Sequence, residues 1–213
     1  MLNSDDTNEL NSDDTNEYEG PLEIAFMGDL TDHESELTEK LLGVPFGGKC
    51  TLYIDSPGGS PYCAMSLMTL ILMRQLNATG IVTGECSSAA LWPLASCKNR
   101  IVTPHSVMLF HPMKWQSEEH VDLAEAAEWA RHFGQLELDM DSLLAKLLDM
   151  PREKLDRWIK PGRYVSGREF AEAGMAELLD LNSLAQQASK GVSPPSNNGN
   201  GVAQLRKTAE TRE

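Results

Sequence analysis

The stretch Leu52-Tyr53-Ile54-Asp55-Ser56-Pro57-Gly58-Gly59-Ser60 constrains this chain more than any other. An apolar run that reads as a buried strand passes straight into a turn holding two adjacent glycines. Glycine is the residue for positive φ and for close approach of one backbone to another group. Two glycines at a strand end suggest exposed N–H groups aimed at a ligand, either a phosphate or a developing oxyanion. The phosphate reading lacks its motifs, since neither G-x-x-x-x-G-K-[ST] nor a helix-opening G-x-G-x-x-G follows. Taken alone, the stretch reads most simply as a strand-to-helix turn, so the rest of the chain has to decide.

The chain has 213 residues and 41% hydrophobic content, enough for one domain with tails and a sizeable core. Its net charge of −14 argues against nucleic-acid and anionic-membrane partners. Half of that charge sits in residues 1–20, where Asp5, Asp6, Glu9, Asp13, Asp14, Glu17 and Glu19 face no Lys or Arg. Residues 2–9, LNSDDTNE, recur unchanged as residues 10–17. Such acidic, polar sequence buries too little apolar surface to order itself. The expected organisation is a disordered acidic tail over 1–20, a folded domain over 21–184 and a second disordered tail over 185–213. Cys50, Cys63, Cys86 and Cys97 show no C-x-x-C spacing and no signal peptide precedes them. They read as reduced thiols of a cytoplasmic protein, with no disulfide frame, metal site or cofactor implied. No apolar run reaches the length of a membrane span.

Within the domain, strands and helices alternate. Leu22–Met27, Thr51–Ile54, Gly80–Gly84, Arg100–Thr103 and Val107–Phe110 read as strands. Asp32–Leu42, Pro61–Gln75 and a segment from Ser88 read as helices. Residues 117–149 carry one long helical stripe, capped by Ser117, that would project from a compact body and needs a partner to cover it. Arg152–Ile159 and Glu169–Ala173 read as closing helices. Repeated βα units predict an α/β domain with a largely parallel sheet.

The second informative stretch is Gly84-Glu85-Cys86-Ser87-Ser88-Ala89-Ala90, where another strand ends in small residues and a serine opens a helix. A hydroxyl on such a turn is presented for attack, and the helix N-terminus favours developing negative charge. His111, at the end of Val107–Phe110, is the residue type that accepts a serine's proton. Singly, each has a plainer reading: an N-cap serine and a structural histidine. His33, His105, His120 and His132 lack a partner pattern. Trp92, Trp115 and Trp129 read as packing or interface residues.

Together the order is distinctive: strand, S-P-G-G-S, helix, strand, G-x-x-x-S, helix, strand, L-F-H-P, long helix. In Ile54–Ser60, Gly84–Ser88, Met108–His111-Pro112 and Glu169–Gly174 the chain resembles the proteolytic subunit of the Clp serine proteases, ClpP, over about residues 22–181. The resemblance implies a ClpP/crotonase-type fold of repeated ββα units with a long handle helix. It implies Ser88 as nucleophile, His111 as base, the N–H groups of Gly59 and Ala89 as oxyanion hole, and Gly58 and Ser60 in the substrate channel. Ser87 competes with Ser88, and the gapless count from Gly59 selects Ser88. The family's aspartate falls by a gapless count on Trp158, leaving Asp156 as the nearest carboxylate and candidate third member. Polypeptide substrates and stacked heptameric rings are the implied partners. An AAA+ unfoldase is implied too, although the acidic repeat stands where the family's apolar axial loop would be. The alternatives are a non-catalytic ring subunit beside an active paralogue and, further off, a crotonase-type acyl-CoA enzyme.

Overall fold

The computed structural model describes residues 20–116 and 120–189. The acidic repeat, the predicted cap Ser117 and most of the predicted C-terminal tail lie outside the described residues. Five strands form one parallel sheet in the order β1 (Leu22–Met27), β2 (Lys49–Ser56), β3 (Asn77–Cys86), β4 (Asn99–Val102), β7 (Glu177–Leu178). A second small sheet grows from the end of β3. There β5 (Val107–Phe110) pairs in parallel with β3 at Glu85↔Val107 and antiparallel with β6 (Arg163–Ser166). This is a mixed α/β fold of the kind the sequence order predicts.

Helices α1 (Leu30–Gly43), α2 (Pro61–Met73) and α3 (Leu91–Ser96) pack side by side. Each turns an apolar face inward. Leu30, Leu37 and Leu41 are buried on α1, and Cys63, Ala64, Leu67, Met68 and Ile71 on α2. The central strand β2 buries side chains on both faces, as a covered parallel strand must. Between the ladder pairs Ile54↔Val82 and Ser56↔Cys86, β3 carries two more residues than β2 and bulges. The bulge wraps the Asp55 carboxylate, which accepts the Glu85 N–H at 2.9 Å. A Cβ on Gly84 would stand 2.5 Å from that carboxylate, so only glycine fits. The bulge turns the end of β3 out of the main sheet and toward β5.

The boundaries differ from the sequence reading at several points. Strand β3 runs ten residues, through Cys86, because its second half pairs with β5 and not with β4. Ser88–Ala90 form a 3-10 turn before α3 begins at Leu91. Pro93 therefore falls in the first turn of α3, where its missing N–H has no partner to lose, and no kink is required. The long helix α4 spans Leu123–Leu147, with Asp122 as its cap through an N–H bond from Glu125 at 2.8 Å. Its 25 residues span about 37 Å. The buried residues, Met140, Asp141, Leu144 and Ala145, all lie in its C-terminal half. The N-terminal half projects, with Trp115 packed on Trp129 and Phe133 along it. After α5 (Arg152–Ile159) and α6 (Gly167–Glu172), a helix α7 (Leu181–Ser189) crosses the boundary expected at residue 184. It buries none of its residues.

Trp158 is 5% exposed and sits between Phe110 and Phe170, with ring centroids 5.0 and 6.4 Å away. Phe110 directly precedes His111, so this aromatic trio is the floor on which the histidine's strand rests. Trp158→Ala should cost about 3–5 kcal/mol, measured as the loss in denaturant-extrapolated unfolding free energy.

Candidate active site

The carboxyl ends of β2, β3 and β5 converge, as ligand-binding ends of parallel strands do. The Ser56 hydroxyl, fully buried, organises the convergence. It donates to Gly28 O at 2.6 Å and accepts the Gly58 N–H at 3.2 Å. Ser56 O accepts the Ser87 N–H at 3.0 Å. One residue thus ties the end of β1, the glycine turn and the serine turn together.

The glycine pair is aimed by α1. The Leu30 N–H at the start of that helix donates to Gly58 O at 2.8 Å. In a trans peptide the C=O and the following N–H point opposite ways. Capture of Gly58 O by α1 therefore directs the Gly59 N–H away from α1, toward the cavity that Gly59 lines. Gly58 and Gly59 adopt φ of 100° and 143°. A Cβ on Gly58 would stand 2.8 Å from Ser88 Cβ, and one on Gly59 2.5 Å from Asp29 Oδ1. Both glycines are demanded by close approach as well as by φ. The Ser88 carbonyl is likewise captured, by the Leu91 N–H. That leaves the Ala89 N–H pointing back from the turn, also into the cavity wall. Among the described residues, neither the Gly59 nor the Ala89 N–H finds an acceptor.

The two serines separate. Ser87 is 1% exposed, and its hydroxyl accepts the Leu109 N–H at 3.1 Å, fastening the turn to β5. Ser88 has φ of 53°, a strained left-handed conformation for a non-glycine residue, and lines the cavity. A sharp turn of this kind holds a hydroxyl out from the backbone. Cys86 next to them is fully buried and burial pushes its thiol well up, which removes it as a rival nucleophile.

His111 lines the same cavity. Its Nδ1 lies 2.6 Å from Pro112 O. A carbonyl only accepts, so Nδ1 carries the proton and Nε2 is left with a free lone pair. No hydrogen bond joins Ser88 to His111 among the described residues; the two share a cavity of about 170 Å³ whose other walls include Trp92, Phe110 and Leu144.

The candidate third member is not brought to the histidine. Asp156 Oδ1 is bound to Arg152 Nε at 2.7 Å on the half-exposed side of α5, and Asp156 does not line the cavity. Trp158 does not face His111 either, being turned into the aromatic floor. The β5–β6 register pairs Phe110 with Arg163, which brings the preceding residue, Gly162, against His111. A Cβ built on Gly162 would lie 3.4 Å from His111 Cβ. Its φ of 122° is one that L side chains rarely adopt, so the position beside His111 Cβ is held by a glycine and is hostile to an acid. Gly58 is buried beneath the serine turn, and Ser60 caps α2 by accepting the Tyr62 N–H at 3.2 Å. Neither lines the cavity.

Sequence reasoning missed two acids of the cavity wall, Glu137 and Asp141 on α4. Asp141 is 5% exposed, and its Oδ2 takes a hydrogen bond from Arg152 Nη2 at 3.1 Å. Burial pushes its carboxyl up to about 6 despite that arginine. Their signal was present as two polar interruptions, one turn apart, in the inward stripe of the long helix.

Ser87→Ala should lower stability by about 1 kcal/mol, since it strands the Leu109 N–H, whereas Ser88→Ala, whose hydroxyl makes no hydrogen bond among the described residues, should leave unfolding free energy unchanged in the same denaturant melts. The Asp141 carboxyl binds its proton more tightly folded than unfolded. This group therefore adds stability as pH falls through about 6 toward the unfolded value, and that increment is absent at pH 7.5. Thermal melts of Asp141→Asn beside the parent should show a smaller rise in Tm between pH 7.5 and pH 5.

Comparison with known proteins accords with this geometry. The family model described as Clp protease matches residues 30–179. An ATP-dependent Clp protease proteolytic subunit of Ostreococcus tauri is 32% identical over 141 residues, covering 63% of this chain and 67% of that protein. A protein of the same description from Oltmannsiellopsis viridis is 24% identical over 159 residues, covering 70% and 80%. The ATP-dependent Clp protease proteolytic subunit 4 of Rhodococcus jostii (strain RHA1) is 33% identical over 132 residues, covering 60% and 66%. With the family's pattern running from the first helix to the last strand around a shared serine–histidine cavity, the chain belongs to the Clp protease family.

Proposed function

We propose that the chain is a serine-type endopeptidase working with a serine–histidine dyad oriented by a main-chain carbonyl. The observation that carries this reading is the 2.6 Å contact between His111 Nδ1 and Pro112 O. In a serine–histidine–aspartate triad the acid holds the imidazole in one tautomer and stabilises its cation. The Pro112 carbonyl performs the first task here and, as a neutral dipole, a lesser share of the second. The dyad should therefore be slower than a triad without being inert.

In this mechanism the peptide carbonyl seats its oxygen between the Gly59 and Ala89 N–H groups. Ser88 Oγ attacks the carbonyl carbon while its proton passes to His111 Nε2. The tetrahedral oxyanion is held by the two N–H groups, worth on the order of 3 kcal/mol each. Collapse breaks the C–N bond, and His111 returns the proton to the leaving amine. A water, deprotonated by the same Nε2, then hydrolyses the acyl-enzyme and regenerates Ser88. The hydroxyl approach needs a rotation of side chains, since no Ser88–His111 hydrogen bond is formed among the described residues.

The relatives' description as proteolytic subunits supports polypeptides as the substrate class. The projecting half of α4, with Leu123 87% exposed, supports assembly with further copies into a chamber of stacked rings. Four free cysteines suit a reducing cytoplasm.

A fluorophosphonate probe tests the proposal on the full chain. The parent should label, Ser88→Ala should not, and Ser87→Ala should label in proportion to its folded fraction. Absence of labelling in a parent shown by light scattering to be assembled would refute an autonomous peptidase.

A further inference from the structure

The cavity beside Ser88 is apolar along most of its wall, through Trp92, Phe110, Leu144 and Ile159, yet two carboxylates interrupt it. Both keep an oxygen unspent. Glu137 Oε1 accepts the Met113 N–H at 2.9 Å, while Oε2 takes no hydrogen bond among the described residues. Asp141 Oδ2 is bound by Arg152, and Oδ1 likewise takes none. Among the described residues the only sealed side-chain polar atom without a partner is Arg74 Nε, so Asp141 Oδ1 reaches open space. The open space that Asp141 borders is this cavity.

The cations nearby leave both oxygens unsatisfied. Arg152 is divided among Asp141, Asp156, Ser142 Oγ and Leu138 O, so one guanidinium serves two carboxylates. Lys114 borders the cavity but is exposed, and Lys160 acts on Asp141 only through space. A buried carboxylate oxygen facing a cavity is a costly arrangement unless a donor comes to it.

Resting on the peptidase reading, we propose that Glu137 and Asp141 make this cavity a receptor for a cationic side chain, lysine or arginine, on the residue whose carbonyl Ser88 attacks. A carbonyl seated between the Gly59 and Ala89 N–H groups puts its own residue's side chain into the adjoining cavity. The apolar wall covers an aliphatic stem, and the two free oxygens meet the charged end with charge-assisted hydrogen bonds. The raised Asp141 carboxyl fits this role, because an incoming cation favours the charged form that burial disfavours. The chain's net charge of −14 attracts cationic peptides to the molecule as a whole at low salt.

The test uses the full chain carrying Ser88→Ala, so that peptides bind without being cleaved. Three capped fluorescent peptides differ only at one central residue: lysine, norleucine or glutamate. A fourth carries the same lysine four residues away. Anisotropy at pH 7.5 should give the central-lysine peptide about tenfold or tighter binding than norleucine. Adding Glu137→Gln or Asp141→Asn should each reduce that ratio to about threefold or less while norleucine binding holds, with circular dichroism confirming the fold. The ratio should also shrink at pH 5, where Asp141 is protonated. Equal binding of lysine and norleucine would overturn the proposal. So would a lysine preference that survives in both variants or is matched by the displaced lysine, since that would be a property of the whole chain's charge. Failure of the peptidase reading looks different: the parent chain would bind the lysine peptide with the same selectivity and leave it intact.

Discussion

The buried hydroxyl of Ser56 holds the site's geometry in place, because three chain segments meet on this one residue. It accepts from the glycine turn, donates to the end of β1, and its own carbonyl takes the serine turn. A hydroxyl has one proton and two lone pairs, and in a dry interior each polar group it meets must be satisfied. The Gly58 N–H and Gly28 C=O satisfy each other only through it. The turn so fixed is then pinned from the other side by the first N–H of α1 on Gly58 O. Two hydrogen bonds from opposite directions leave the Gly59 amide one orientation. That fixed amide orientation is built from the core outward, as the proposed oxyanion role requires of donors that do not reorganise.

The histidine side of the cavity follows a different logic. Strand β5 is short and is held by single-residue contacts: the Leu109 N–H on Ser87 Oγ, one ladder pair with β3, and the antiparallel pairing with β6. Beneath it the Phe110–Trp158–Phe170 cluster fills the space with apolar surface. An acid could not ionise in that cluster, and the residue against the base of the histidine side chain, Gly162, is a glycine in a conformation that L side chains rarely adopt. The histidine consequently turns its Nδ1 to the nearest carbonyl. The carboxylates of the cavity stand on α4, where Glu137 and Asp141 line its wall. Charge that would serve the imidazole is placed where it can serve recognition.

Much of this was legible in the chain. The order of strands, the S-P-G-G turn and the serine and histidine at strand ends predicted the mixed α/β fold and the cavity's two faces, because periodicity and turn chemistry are local properties. The gapless count from Gly59 selected Ser88 over Ser87, and the two differ in the fold as a cavity-lining and a buried serine. The third position was not separable in that way. A gapless count landed on Trp158, four residues from Gly162, and the short irregular path between α5 and β6 carries no periodicity to correct it. Only the pairing of Phe110 with Arg163 identifies the residue across from His111.

The sequence by itself determined what local chemistry dictates: which segments form strands and helices, where glycine was obligatory, and which hydroxyl and imidazole stand at strand ends. Tertiary structure decided everything that depends on contact between distant segments. It tied Ser87 to Leu109, put Gly162 against His111 and brought Glu137 and Asp141 of the long helix into the wall beside Ser88. The physical reason is range. Turn and helix preferences act over a few residues, whereas the walls of the cavity come from segments that the chain brings together from 22 and 48 positions apart, as in the Leu109–Ser87 and Trp92–Met140 hydrogen bonds.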